Sequence, residues 1–257
     1  MTQPNVLFFI TDQQRADHVG FAGNPVVSTP HLDALAARST VFDRAYVSNP
    51  VCMPNRSTIM TGRMPSAHGV IFNDRSLSPG ANSFVRELRA NGYSTALIGK
   101  SHLQHGMSPD AFMPFPRESG LTDPWPAGWN AIENIERYER EELDDPDDFY
   151  GFGQIELTLG HGDQVGGHHY RWARELGATH DELVAGFAPS DDVPQLSPHW
   201  WQIHAARFPE ELYCTNFVTE RTIDFIETSD AACEPWMAWC SYPDPHHPLS
   251  PPAQWFD

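Results

Sequence analysis

The chain has 257 residues, of which 40% are hydrophobic and 12% aromatic, and its formal net charge is −18 at pH 7. This apolar content excludes a disordered chain, while 23 prolines and 18 glycines exclude a simple helical bundle and favour an α/β frame with many loops. The negative charge argues against nucleic acid and against an anionic membrane as partners, because both would repel it.

The first residues and the cysteines indicate a reduced, cytoplasmic protein. The opening MTQPNVLFFITD has no basic n-region, and its apolar run is too short for a signal peptide. No stretch reaches the roughly 20 apolar residues that a membrane-spanning helix needs. The four cysteines form no CxxC pair, so we expect them to be buried or chemically used rather than bridged.

The N-terminal part of the chain predicts strands alternating with helices. Residues 5–11, NVLFFIT, are a continuous apolar run typical of a strand that is buried on both faces. The stretch STPHLDALAARS predicts a helix with Thr29 as its cap and Pro30 in its first turn. Residues 40–47 alternate loosely and predict a second strand.

The next segments continue the same pattern. A short helix is predicted from about residue 56 to residue 61, ending at Gly62. Residues 83–103 predict a helix that stops at Asn91-Gly92 and a following strand, YSTALIG.

The middle of the chain is harder to interpret. From about 105 to 200 the pattern breaks down into Pro, Gly, His and acidic residues, which indicates long loop excursions. His161, His168 and His169 form a candidate second metal site there, although their Gly-rich setting lacks ligand spacing. Order returns with a helix over 216–229 and with a buried strand in PWMAWCSYPDPHHP.

Polar residues follow the predicted strands at the points where they end. Asp12, Lys100, His102 and His246 each lie just beyond such an end. Open α/β sheets bind ligands at the carboxyl ends of their strands. The sequence therefore predicts an α/β fold, a mostly parallel central sheet flanked by helices, with one shared site at that edge.

The stretch CMPNRSTIMTGR puts Cys52 ahead of a helix, with Pro54 and Arg56 beside it. A helix N-terminus and an arginine lower the pKa of a thiol and attract anions. By itself, a lone cysteine at this position is more often a small buried apolar residue.

The complete string resembles the signature of the sulfatase family in the alkaline phosphatase superfamily, Cys-x-Pro-x-Arg followed by Thr-Gly-Arg. The matching residues are Cys52, Pro54, Arg56, Thr61, Gly62 and Arg63. The resemblance implies an arylsulfatase-like enzyme in which a formylglycine-generating maturation enzyme oxidises Cys52 to an aldehyde. The hydrated aldehyde is then the nucleophile.

The same resemblance assigns a metal site. Asp12 matches a metal ligand, and Gln13 stands where many members carry a second aspartate, so its carboxamide oxygen is a candidate ligand beside modified Cys52. We expect Ca²⁺, with Mg²⁺ or Mn²⁺ as alternatives.

The resemblance also assigns the residues that face the ester. Arg56, Lys100 and His102 match residues around the sulfate, and Asn73 matches a residue that approaches the ester oxygens. The string PDPHHP is similar to the family's Pro-His-x-Pro, which places the substrate-facing histidine at His246.

The family completes its metal site downstream of Pro-His-x-Pro. We therefore expect residues 1–257 to be the N-terminal part of one sulfatase catalytic domain, truncated before the C-terminal subdomain. The predicted reaction is hydrolysis of a small-molecule sulfate ester. One alternative is a phosphonate monoester or phosphodiester hydrolase on the same scaffold, although Lys100-Ser101-His102 favours sulfate. Another is an inactive fragment or a non-catalytic anion-binding relative. The sequence does not indicate which alcohol carries the sulfate.

Overall fold

The computed structural model describes residues 3–73, 75–106, 128–140, 144–184, 194–196 and 199–256. Within these ranges five strands form one sheet: β1 Val6–Thr11, β2 Ser94–Gly99, β3 Gln154–Leu159, β4 Gly166–Gly167 and β5 Trp236–Tyr242. Their order is β1-β5-β2-β3-β4. The first four in this order are parallel, and β4 is antiparallel to β3. The predicted α/β fold with a mostly parallel central sheet is confirmed.

Helices flank this sheet and connect its strands. In chain order they are α1 Pro30–Ala36, α2 Cys52–Thr61, α3 Pro65–His68, α4 Phe84–Ala90, α5 Ile135–Glu139, α6 His168–Glu175, α7 His180–Leu183 and α8 Cys214–Ala231. The longest, α8, contacts β5 and β2, whereas α4 contacts β2 and α6 contacts β3. In the described part of the chain, every helix falls short of the length and apolar character needed to cross a bilayer.

Alternation along the inner strands builds a core on each face of the sheet. Leu97 and Trp239 belong to a cluster that includes Met53 and Met60 of α2. The residues that alternate with them, among them Ile98, belong to a second cluster that includes α8 side chains. Because successive strand residues point to opposite faces, a strand buried on both sides reads as a continuous apolar run.

The first strand is present as predicted, but the prediction that both of its faces are buried is wrong. Leu7 and Phe9 are 50% and 52% exposed. β1 lies at the end of the strand order and pairs with β5. Leu7 and Phe9 point to the same face of the sheet, so this face of β1 is the exposed one, and the apolar run overstates the burial of the strand.

Two further predictions are corrected by the structure. The prediction of a strand over 40–47 is wrong, because these residues form turns and irregular chain. A loosely alternating segment forms a strand only where the edge of another strand is available for pairing. The motif helix begins at Cys52, four residues before its predicted start. Pro54 is compatible with this first turn, where its missing N–H has no helical partner in any case.

The middle of the chain contains more regular structure than predicted. Its described residues contain α5, β3, β4, α6 and α7. The segment QIELTL of β3 carries the polar residues Gln154 and Glu156 among apolar ones. It therefore lacks the continuous apolar run that marked the other inner strands, and the sheet extends further than the sequence indicated.

Candidate active site

The carboxyl ends of four parallel strands bring one polar residue each to the same edge of the sheet. Asp12 follows β1, His246 lies beyond β5, Lys100 follows β2 and His161 follows β3. The backbone connects these ends, since the N–H of Asp12 donates to Asp244 O at 3.1 Å and that of Lys100 to Ser241 O at 2.9 Å. Of the residues predicted from the strand ends, Asp12, Lys100 and His246 thus lie at one edge of the sheet.

Helix α2 places Cys52 against this edge. Cys52 is the first residue of the helix and half-buried, and its Sγ lies 3.9 Å from both carboxylate oxygens of Asp12. The neighbouring N–H of Met53 donates to Asn73 Oδ1 at 3.0 Å. Asn73 therefore lies at the start of α2 next to Cys52, and its side chain holds one of the helix's unpaired N–H groups.

One turn further along α2, the guanidinium of Arg56 is buried beneath the site. Only 2% of Arg56 is exposed. Its Nη1 donates to Lys100 O at 2.7 Å and to Ser241 Oγ at 3.0 Å, and Nη2 lies 3.8 Å from Asp12 Oδ2. These contacts fix a full positive charge next to the carboxylate and the cysteine.

Lys100 joins the two sides of the site. Only 4% of it is exposed, and its Nζ contacts both Asp12 Oδ2 and His161 Nε2. An ammonium group carries three N–H donors, so these two contacts use two of them. Because Nζ donates, Nε2 of His161 accepts, and the proton of a neutral His161 ring lies on Nδ1.

The positive charges control the ionisation of this group. Burial alone raises the pKa of Asp12, but the charges of Lys100 and Arg56 outweigh it and lower this pKa from 3.8 to about 2. Burial lowers the pKa of Lys100, against the opposing effect of Asp12. Burial, together with the Lys100 charge, lowers the pKa of His102 to about 3 and that of His161 to about 2. These imidazoles are therefore neutral at pH 7 before an anion binds.

Three imidazole rings stack across the site. The ring centroids of His161 and His246 are 3.8 Å apart at 22°, and those of His246 and His247 are 4.3 Å apart at 28°. Nδ1 of His246 bonds to His247 O, and because a carbonyl only accepts, this nitrogen carries a proton. At the far end, His247 Nδ1 lies 3.1 Å from Gln13 Oε1, so the Gln13 oxygen contacts a histidine here.

The donor atoms at this edge of the sheet are of the kinds that bind a divalent cation. Asp12, Cys52 and His246 each offer one ligand atom, and these atoms lie within 4.8 Å of one another. A carboxylate and the oxygen that would replace Sγ in formylglycine fit one side of a coordination shell. The described residues thus fit a metal in part, and His246 lies close to this donor set.

His161 belongs to this site, which the sequence-based interpretation missed. His161 was considered only with His168 and His169, and those two are held elsewhere by Asp145 and by Leu212 O. The sequence feature that could have identified His161 is its place as a polar residue just after a strand, as at the other three strand ends. It was overlooked because β3 was not recognised.

Two buried contacts of Asp163 fix the loop that carries His161. The N–H of Asp163 donates to Ser250 Oγ at 2.8 Å, and its carboxylate lies 3.2 Å from His204 Nε2. Gly162, which lies between His161 and Asp163 in the chain, has φ +57, and a Cβ added to it would lie 2.3 Å from Ser250 Oγ. Glycine is therefore required at this turn.

Glu133 is a second residue that sequence reasoning missed. Its fully buried carboxylate accepts the backbone N–H groups of His102, Leu103 and Gln104 at 2.8, 2.8 and 2.9 Å. It thereby stabilises the turn in which His102 has φ 52, a value that residues other than glycine seldom adopt. Nothing in the local sequence links residue 133 to residue 102.

Solved structures with this architecture include phosphonate monoester hydrolases. That of Silicibacter pomeroyi has a TM-score of 0.68 at 26% identity, over 98% of this chain and 43% of that one. That of Agrobacterium radiobacter has a TM-score of 0.65 at 25% identity, over 97% and 42%. The fold is thus the alkaline phosphatase-like fold that these solved structures share.

The family follows from the sequence comparison. A family model described as Sulfatase matches residues 4–257, and the chain belongs to the sulfatase family. An arylsulfatase of Clostridium perfringens is 26% identical over 99% of this chain and 46% of its own length. An ulvan-active sulfatase of Formosa agariphila is 37% identical over 57% of this chain and 27% of its own length. The chain spans less than half the length of these relatives.

Proposed function

We propose that the protein hydrolyses sulfate esters, using a formylglycine that a maturation enzyme makes from Cys52. The observation that carries this proposal is the position of Cys52 at the start of α2, 3.9 Å from Asp12. Arg56 and Lys100 are buried around the same carboxylate. Cys52 Sγ marks the place of one hydroxyl of the hydrated aldehyde.

A divalent cation would be held by Asp12 and residue 52, which lie 3.9 Å apart, with the carboxamide oxygen of Gln13 as a further candidate ligand. Ca²⁺ suits the carboxylate and hydroxyl oxygens, with Mg²⁺ and Mn²⁺ as alternatives. Such a cation takes about six or more ligands, of which the described residues supply part. When bound, it supplies Lewis-acid stabilisation of developing negative charge.

The chain's own residues support each step of the reaction. Arg56 and Lys100 hold the sulfuryl oxygens and stabilise their charge, which is usually the largest catalytic contribution. One hydroxyl of residue 52, as the hydrated aldehyde, loses its proton to water and forms an O–S bond while the bond from sulfur to the alcohol oxygen breaks. His246 gives that departing oxygen its proton. General acid help of this kind is worth about 10² to 10⁴ in rate.

The second half of the reaction regenerates the aldehyde. The remaining hydroxyl of residue 52 loses its proton to His102, the bond from its carbon to the sulfate oxygen breaks, and sulfate leaves. Water then hydrates the aldehyde again. The negative charge of a bound sulfate ester raises the pKa of His246, because an opposite charge favours the protonated form. A thiol at residue 52 lacks the second hydroxyl and would stop after the first transfer.

The test combines mass spectrometry with a Cys52→Ala variant. In protein co-expressed with a formylglycine-generating enzyme, we expect the peptide around residue 52 to have the mass of the aldehyde form and the protein to hydrolyse an aryl sulfate. Cys52→Ala should lose all turnover, whereas Cys233→Ala, at an exposed cysteine, should keep it. Full activity of protein that retains an unmodified Cys52 thiol would refute the proposal.

A phosphonate monoester hydrolase is the second candidate. It is favoured by the two solved hydrolases of that class that match this fold and by Gln13 after Asp12. Lys100 and His102 favour the sulfatase. Parallel assays with p-nitrophenyl sulfate and p-nitrophenyl phenylphosphonate separate the two activities. Mature protein that binds sulfate but cleaves neither compound would instead indicate a non-catalytic anion-binding relative.

A further inference from the structure

A cavity of about 500 Å³ adjoins the site on the side of β2 and β3. Its walls come from the chain after β2, the start of α5 and the end of β3. Its inner end is formed by Lys100, His102 and His161, and its sides include Glu133, Ile135 and Leu159. Volumes of about 300 to 1,000 Å³ are typical of small-molecule sites.

The strand order places this cavity opposite the nucleophile. Asp12 and Cys52 lie at the β1 end of the edge, followed by His246, Lys100 and His161. The lining of the cavity includes Lys100 and His161 but neither Asp12 nor Cys52. In an in-line displacement the leaving oxygen departs on the side opposite the attacking oxygen. An ester attacked from residue 52 therefore directs its alcohol toward this cavity.

The walls indicate which alcohol fits. Ile135 and Leu159 supply apolar surface, as do the glycines Gly106 and Gly160. Two carboxylates lie along the walls, and both are already partnered, since Glu133 accepts three backbone N–H groups. The other, Glu136, pairs with Arg140 at 2.9 Å.

These carboxylates make the cavity unfavourable for a second anionic group. Among the described residues that line the cavity, Lys100 is the only lysine or arginine. In the proposed function the N–H donor that Asp12 and His161 leave free on Lys100 binds the sulfate. An anionic substituent on the alcohol would therefore lose its hydration near like charges and gain no partner. A neutral alcohol avoids this cost, and the apolar walls favour a ring over an extended chain of hydroxyl groups.

We infer that this cavity holds the alcohol part of the ester and selects neutral alcohols of single-ring size. The inference rests on the proposed sulfatase function. His161 lies between the residues that hold the sulfate and the cavity that holds the alcohol, because it contacts Lys100 and also lines the cavity.

Ile135 is the residue at which to test this inference. It lines the cavity, lies at the first position of α5 and is 37% exposed, so a larger side chain can be accommodated at the rim. Ile135→Trp reduces the cavity, and Ile135→Ala enlarges it. Neither change touches the groups that hold the sulfate.

The assay compares a ring substrate with an ion that needs only the sulfate site. In mature protein with its cation, Ile135→Trp should raise KM for p-nitrophenyl sulfate by about tenfold or more. The inhibition constant of inorganic sulfate should stay within about twofold. Ile135→Ala should raise kcat/KM for the two-ring 4-methylumbelliferyl sulfate relative to p-nitrophenyl sulfate.

The outcomes separate this inference from the proposed function. Wild-type protein that hydrolyses no sulfate ester refutes both. Active wild-type protein whose KM is unchanged by Ile135→Trp refutes the inference alone, as does an equal rise in KM and in the sulfate inhibition constant. If Ile135→Trp fails to fold by circular dichroism, the substrate preference of Ile135→Ala decides, and an unchanged preference overturns the inference.

Discussion

Replacing Asp12 with asparagine removes the negative charge on which two buried cations depend. The carboxylate contacts Lys100 Nζ and lies 3.8 Å from Arg56 Nη2. Asparagine keeps the shape of the side chain but leaves both positive charges without their partner. We therefore expect metal-free Asp12→Asn protein to be less stable than the wild type.

The size of this effect follows from the ionisation of Asp12. Its pKa falls from 3.8 to about 2, and each tenfold change in an ionisation constant corresponds to about 1.4 kcal/mol. The folded state thus favours the carboxylate by about 2 to 3 kcal/mol. Breaking a buried ion pair from one side costs about 3 to 5 kcal/mol, so a loss of about 2 to 4 kcal/mol in the free energy of unfolding is expected.

The assay is equilibrium unfolding in urea at pH 7 in the presence of a chelator. The matched control is the double variant Asp12→Asn/Lys100→Met, which removes both members of the closest pair and should recover part of the lost stability. An Asp12→Asn protein as stable as the wild type would refute the reasoning. So would a double variant less stable than the single one, because Lys100 would then stabilise the fold without Asp12.

Three further predictions concern pH and the loop that carries His161. Because the pKa of Asp12 is lowered on folding, its stabilisation is complete above the unfolded value of about 4 and is lost as the pH falls toward about 2. Folding also lowers the pKa of other carboxyl groups, such as Asp145, so urea titrations should show a larger loss in the wild type than in Asp12→Asn. His161→Phe keeps a ring that can stack on His246 but loses the acceptor for Lys100, so kcat should fall by about 10- to 100-fold. His161→Gln retains an acceptor and should recover much of the lost kcat. Equal losses of kcat in the two variants would contradict the role of His161 as the acceptor for Lys100. Gly162→Ala should lower the free energy of unfolding, measured by thermal unfolding, by more than about 1 kcal/mol. The control is Gly23→Ala, which also has a positive φ, +85, but has nothing within 4 Å of the added carbon. A smaller loss in Gly23→Ala would show that the contact with Ser250 adds to the cost of the backbone angle.

The sequence was most informative where a local signal coincided with a strand end or a helix start. The apolar runs located β1, β2 and β5, and the residues that follow them lie together at one edge of the sheet. The motif around Cys52 indicated the family, which the comparison over residues 4–257 confirmed. These features are local, since a buried parallel strand needs a continuous apolar run and a helix end needs glycine or a cap.

Long-range placement was decided only by the tertiary structure. β5 lies between β1 and β2, although it comes more than 130 residues after β2, and this order exposes one face of β1 and brings His246 beside His161. Glu133 holds the turn at His102 from 31 residues away. Such contacts leave no periodic trace in the chain, because a parallel sheet chooses its neighbours through crossover connections and packing rather than through the residues of any one strand.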